Sequence, residues 1–151
     1  MRGWIALVIA LSIVPADRIT GPQPTLPQSA LTIETKRGPV RFTIELATTP
    51  DQQQHGLMFR RSLAQNAGML FLYGTDSPHS FWMKNTIIPL DILFVKRDGA
   101  IARIAANAKP LSEEPIPSGG PVRAVLEIPG GRAAQLGVAV GDKVRHSVLE
   151  N

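Results

Sequence analysis

The sequence predicts a mainly β, single-domain protein: an antiparallel β-sandwich or partly open barrel with two short helices. Three observations lead there. Short runs of alternating or continuous apolar residues recur along the chain, each bounded by Gly, Pro, Asn or Asp. Only two stretches carry helix signals. No repeat of fixed period and no heptad interrupts the pattern.

The elements follow in order. Residues 1–16 read as a signal peptide, with Arg2 at the positive end, an apolar run Trp4–Val14 and small residues at Val14 and Ala16. The run is too short to span a bilayer comfortably, so no stable membrane span is expected once it is removed. Residues 17–30 are rich in proline (Pro22, Pro24, Pro27) and read as an extended, poorly ordered linker. The domain is expected over 31–151. Leu31–Lys36 alternates as a strand, Arg37-Gly38-Pro39 turns, and Val40–Ala47 returns with Val40, Phe42, Ile44 and Leu46 on one face. Thr49-Pro50-Asp51-Gln52 has the spacing of a capping box with proline at the first helical position, and Gly56 ends that helix.

Gly68–Tyr73 is an apolar strand, and Gly74–Pro78 reads as a turn. Ser80–Lys84 and Pro89–Val95 read as two more strands, and Asp98-Gly99 as a hairpin turn into Ala100–Ala106. Ala108–Pro121 is a long proline-rich loop. Val122–Ile128 is a strand, Pro129–Leu136 a short helix stopped by Gly137, and Lys143–Leu149 the last strand.

Composition narrows the function classes. A chain of 151 residues with 44% hydrophobic and 19% charged residues can bury a core without staples. It has no cysteine, which excludes disulfides, thiolate metal sites and cysteine nucleophiles. The net charge of +4 is spread over the pairs Lys36-Arg37, Arg60-Arg61 and Lys96-Arg97 without interleaved aromatics, so no nucleic-acid partner is expected. His55, His79 and His146 lack metal-ligand spacing, and no metal or cofactor is called for.

The stretch Ser80–Val95 is the most apolar of the expected mature chain, yet it carries Lys84, Asn85 and Asp91. Such groups need partners in an apolar setting. Two readings stand. In the first, Asp91 is satisfied by Asn85 and Thr86 as a structural network. Alternatively Trp82, Lys84, Asn85 and Asp91, with His55 within reach, form a pocket for a small polar or anionic ligand, Asp91 orienting Lys84. Glu127 repeats the theme in an apolar strand. It is expected to pair with Arg60, Arg123 or Arg132; if it lies near Asp91 instead, the two form an acid/base pair for a saccharide-like substrate. Gly130-Gly131 offers a weak anion site through its backbone amides.

His55–Arg60, Gly68–Phe71, the Phe81-Trp82-Met83-Lys84-Asn85-Thr86 run, Pro89–Phe94, Val125–Ile128, Pro129-Gly130-Gly131, Gly137 and Gly141-Asp142 occur in that order. This succession resembles the domain-of-unknown-function 192 family over about Leu31 to Leu149. The resemblance implies a sandwich or barrel of jelly-roll type, and no activity. Three functions are therefore expected in competition: an exported, periplasmic or secreted monomer that binds a small ligand; an envelope protein-interaction module working through edge strands and the Ala108–Pro121 loop; and a carboxylate acid/base enzyme.

Overall fold

The structure is a computed structural model and describes residues 13–149. The expected signal segment lies outside the described residues up to position 12.

The described chain begins with a single 3-10 turn, Ala16–Arg18. The stretch expected to be a loose linker is instead packed on the domain. Ala16 and Ile19 bury their side chains against Met58. The Gln23 amide donates to the carbonyls of Gln52 (3.0 Å) and Gly56 (2.9 Å). The Gly56 carbonyl, past the end of the first helix, has no intrahelical partner, while the Gln52 carbonyl also accepts from the Gly56 amide.

β1 (Gln28–Thr35) and β2 (Gly38–Ala47) form the expected hairpin, starting three residues earlier than the alternation suggests. α1 (Pro50–His55) carries the full capping box: Thr49 Oγ1 accepts from the Gln52 amide and the Gln52 side chain accepts from the Thr49 amide. β3 (Ala67–Ser77) is longer than its apolar run, continuing through the expected turn at Gly74 as an irregular, exposed extension. β4 is only Ser80–Phe81. Beyond it the expected strand is replaced by a turn, closed by the Thr86 amide on the Met83 carbonyl, with Asn85 at a φ of 56°. Asparagine tolerates that left-handed conformation better than most residues.

β5 (Leu90–Val95) is buried along its whole length, which explains its unbroken apolar run. β6 (Ile101–Ala108), β7 (Ile116–Pro117), β8 (Val122–Pro129), α2 (Arg132–Leu136) and β9 (Lys143–Arg145) complete the fold. The expected final strand is cut short by a 3-10 turn at Ser147–Leu149.

Seven strands make one sheet in the order β6-β5-β8-β3-β2-β1-β9, and β4 pairs with β7 apart from it. All pairs are antiparallel except β2 with β3, whose connection runs through α1. The sheet curls until its edges meet. Ala100 bridges Lys143, and the Val144 amide donates to Gly99 at 2.7 Å. The outcome is the mainly β, partly open barrel expected, with two short α-helices. One core gathers Leu31, Ile33, Phe42, Leu93, Leu126 and Val144 from strands all around the curl. A second, on the other face, gathers Leu57, Met69, Phe71, Met83, Ile92 and Phe94 under α1 and β4.

Candidate functional site

Strand register decides which polar residues meet. On β5 and β8, Asp91 stands opposite Ile128, and Ile92 stands opposite Glu127. Directly opposed residues share a face and neighbours along a strand do not. Asp91 and Glu127 therefore lie on opposite faces of the sheet, and the pairing of the two as acid and base on one substrate is overturned.

Asp91 is fully buried. Its Oδ1 accepts from the amides of Asn107 (2.8 Å) and Gly131 (3.0 Å), and its Oδ2 from the amide of Ala133 (2.9 Å). It holds the first turn of α2 to the sheet. Expected partners Asn85 and Thr86 are engaged elsewhere, and so is Lys84. The backbone amide of Gly131, read from sequence as part of an anion site, is occupied by this carboxylate of the chain itself.

Lys84 does not lie between apolar strands. Its Nζ pairs with Glu113 at 3.3 Å and sits 5.2 Å from the centre of the Trp82 ring. Next to it, the Met83 amide donates to Ser112 and the Leu111 amide to Thr86, so the long loop is pinned to this turn. Asn85 donates to the Ala16 carbonyl at 3.0 Å and accepts from the Phe59 amide at 2.8 Å. Lys84, Asn85 and Asp91 each hold chain segments together, and none of them lines the cavity described next.

A cleft of about 280 Å³ lies on the second-core face, and two of the expected ligand-binding residues, His55 and Trp82, line it together with Glu127. α1 and its following turn form one wall through Gln53, Gln54, His55 and Gly56; Phe71 and Tyr73 of β3, with Ser80, Phe81 and Trp82, form the other. Gly56 takes a φ of 49°, and an added Cβ would meet Phe71 at 3.3 Å. Only glycine lets the chain turn there while α1 stays close to the sheet. Gln53 fastens the helix by donating to the carbonyls of Ala47 and Leu72.

Glu127 is 4% exposed. The arginines expected to neutralise it are taken: Arg60 forms a two-pronged bond with buried Glu45 (2.8 Å for both), Arg123 binds Asp76, and Arg132 binds Asn66. Among the described residues its carboxyl forms no hydrogen bond or ion pair. Yet no fully sealed side-chain oxygen or nitrogen lacks a partner, so the Glu127 oxygens reach the solvent-accessible space of the cleft. Burial pushes its pKa from an ordinary 4.5 up to about 8. The group is therefore mostly a neutral acid at pH 7, able both to donate and to accept.

Tyr73, which the sequence offered only as the end of an apolar strand, is the residue the reading missed. Its hydroxyl is held well above its ordinary pKa, chiefly by burial and then by the charge of Glu127. Its ring stacks on His79 with centroids 3.6 Å apart, and burial lowers the pKa of that histidine. Period-two alternation could have placed Tyr73 on the face of Phe71; which strand neighbours it needed the register. His55 Nε2 lies 2.6 Å from the Gly21 carbonyl. A carbonyl can only accept, so this nitrogen carries a proton.

No cluster of three or more metal-ligating side chains occurs among the described residues, and no described helix is long and apolar enough to cross a membrane.

Comparison with known proteins gives the family and the fold. The DUF192 model, described as "Uncharacterized ACR, COG1430", matches residues 31–146. The chain belongs to the DUF192 family. Among solved structures, this DUF192 protein is 43% identical to a protein of unknown function from Novosphingobium aromaticivorans DSM 12444, with a TM-score of 0.79, covering 89% of this chain and 99% of that one. It is 42% identical to a Sinorhizobium meliloti 1021 protein named a "putative transcription regulator", with a TM-score of 0.79, covering 82% of this chain and 96% of that one. No curated protein matches the chain.

Proposed function

We propose that this DUF192 protein is an exported module that binds a small polar molecule in the cleft between α1 and β3. The observation that carries the reading is Glu127: a carboxyl inside an apolar core, without a partner, opening only to a cavity. Burying such a group costs several kcal/mol unless something compensates it. A ligand that hydrogen-bonds to it recovers that cost, whereas a purely architectural residue at this position would be apolar. The cleft is slightly smaller than sites for drug-sized molecules, which suits a metabolite of a few heavy atoms.

The interaction-module reading has less support. The Ala108–Pro121 loop is stapled by Lys84–Glu113, by β4–β7 pairing and by the Ser118 amide on His79, and the outer sheet edges meet each other. Regulation through nucleic acid, suggested by the name of the Sinorhizobium protein, finds Arg97, Arg123, Lys143 and Arg145 in ion pairs rather than arrayed as a free basic surface. Export rests on Arg2, the Trp4–Val14 run and Ala16.

The test is NMR mapping of the full chain against mixtures of small metabolites. Amide shifts at Gly56, Tyr73 and the Trp82 indole are expected with at least one mixture. Shifts confined to residues away from this cleft would refute the reading.

A further inference from the structure

We propose that the ligand of the Glu127 cleft is a small organic cation, a primary amine or guanidinium, with Glu127 as its counter-charge. The inference rests on the ligand-binding reading above and names its chemistry.

The lining is acidic and aromatic. Among the described residues that line it, Glu127 is the one acidic side chain and there is no lysine or arginine. The groups around Glu127 are accounted for strand by strand. β5 presents Ile92 and β3 presents Met69 directly opposite it; Tyr73 lies farther along β3. On β2, Glu45 stands beyond Met69 and is neutralised by Arg60. From α1 comes His55, whose ring proton is spent on Gly21. An anion entering here would meet a carboxyl, while the ammonium of Lys84 at the rim is already paired with Glu113.

Among the polar groups of the lining, the Glu127 carboxylate is acceptor-only once ionised; the Ser80 and Tyr73 hydroxyls and the Gln54 amide can accept as well as donate, and the Trp82 indole donates. An ammonium brings three donors and a guanidinium five, and neither accepts. The walls add the rings of Phe81, Tyr73 and Trp82, and aromatic faces attract cations. Trp82 already does so toward Lys84 at the rim.

Binding carries a proton balance. Near pH 7 the Glu127 carboxyl is mostly protonated. Pairing with an ammonium favours the carboxylate, so one proton leaves Glu127 for the buffer as the ion pair forms. Affinity then tightens with pH, by up to about tenfold per unit below the carboxyl pKa.

The experiment is calorimetry of the full chain with methylammonium, putrescine and agmatine, with acetate and glucose as representatives of the other classes. It is run at pH 6.5 in two buffers of different ionisation enthalpy, and again at pH 7.5. The expected result is saturable binding of an amine, release of up to one proton at pH 6.5, severalfold tighter binding at pH 7.5, and at least tenfold weaker binding in Glu127→Gln. The proton release and pH trend are read on the wild type, so the test does not depend on the variant folding. Binding of acetate or glucose with the amines silent overturns the cation and leaves the cleft as a ligand site. Amine binding with no proton release and no loss in Glu127→Gln also overturns it. Silence from all three classes overturns both readings.

Discussion

Glu127 and Asp91 are two carboxyl groups on neighbouring strands with opposite fates. Asp91 is given three backbone amides and Glu127 none. The difference shows in how stability depends on pH. Glu127 has a folded-state pKa of about 8, above its ordinary 4.5. As pH rises past 4.5 the unfolded chain loses this proton first, so the folded state, still protonated, becomes progressively disfavoured until about pH 8. The wild type is therefore expected to lose up to about 1.4 kcal/mol per pH unit across that window relative to Glu127→Gln. Urea unfolding of both proteins from pH 5 to 8.5 measures it; parallel curves would mean that Glu127 is solvated or paired. Glu45 makes the opposite case. Arg60→Ala leaves its buried carboxylate with only the Leu26 amide (2.8 Å) as partner and is expected to cost about 3–5 kcal/mol, while adding Glu45→Gln to that variant recovers much of the loss. The sequence marked Asp91 and Glu127 as unusual because each interrupts an apolar run. It could not tell them apart, since the partners of Asp91 come from residues up to 42 positions away.

At the level of elements, α1 was the most legible, because a capping box and its proline are local chemistry. β5 was legible for the same kind of reason: Leu90, Ile92 and Phe94 do fall in one core and Leu93 and Val95 in the other. The short β4 was not, because Trp82–Lys84 is as strand-like in composition as what precedes it, and the turn comes from bonds to Ser112 and Leu111. Two elements offer direct tests. Asp91→Ala strands two amides at the start of α2 and that of Asn107 on β6, and is expected to cost about 3–5 kcal/mol in denaturant unfolding; an effect under about 1 kcal/mol would contradict the capping role. Gly68 lies on β3 on the face opposite Met69 and the cleft, where an added Cβ would lie 2.5 Å from the Glu127 carbonyl oxygen. Gly68→Ala must push β3 away from β8, and a loss of about 1–3 kcal/mol is expected from thermal melting.

On the scale of the whole molecule, the curled sheet divides the labour between its faces. The inner face holds the fold, with Asp91 tying α2 to it, and the outer face carries a cleft whose floor is a carboxyl without a partner. The class and curl of the fold were legible from short strands and the lack of repeats. The cleft was only partly so. His55 and Trp82 were picked out and do line it, whereas Lys84 and Asn85, chosen as polar residues in an apolar stretch, turn out to staple the loop and the N-terminal segment. Export makes a separate prediction: the protein recovered from an envelope or secreted fraction begins at Asp17, having lost the Ala16 that packs on Met58 and accepts from Asn85 in the full chain, as the mass of the recovered chain reports, and an uncut cytoplasmic chain would contradict it. The most direct single measurement is a carbon-13 NMR titration of the Glu127 side-chain carboxyl, alone and with saturating putrescine. A midpoint near 8 in the free protein, falling by a unit or more with the amine, is the result expected. A midpoint near 4.5 that the amine does not move would contradict both the buried, partnerless carboxyl and the site built on it.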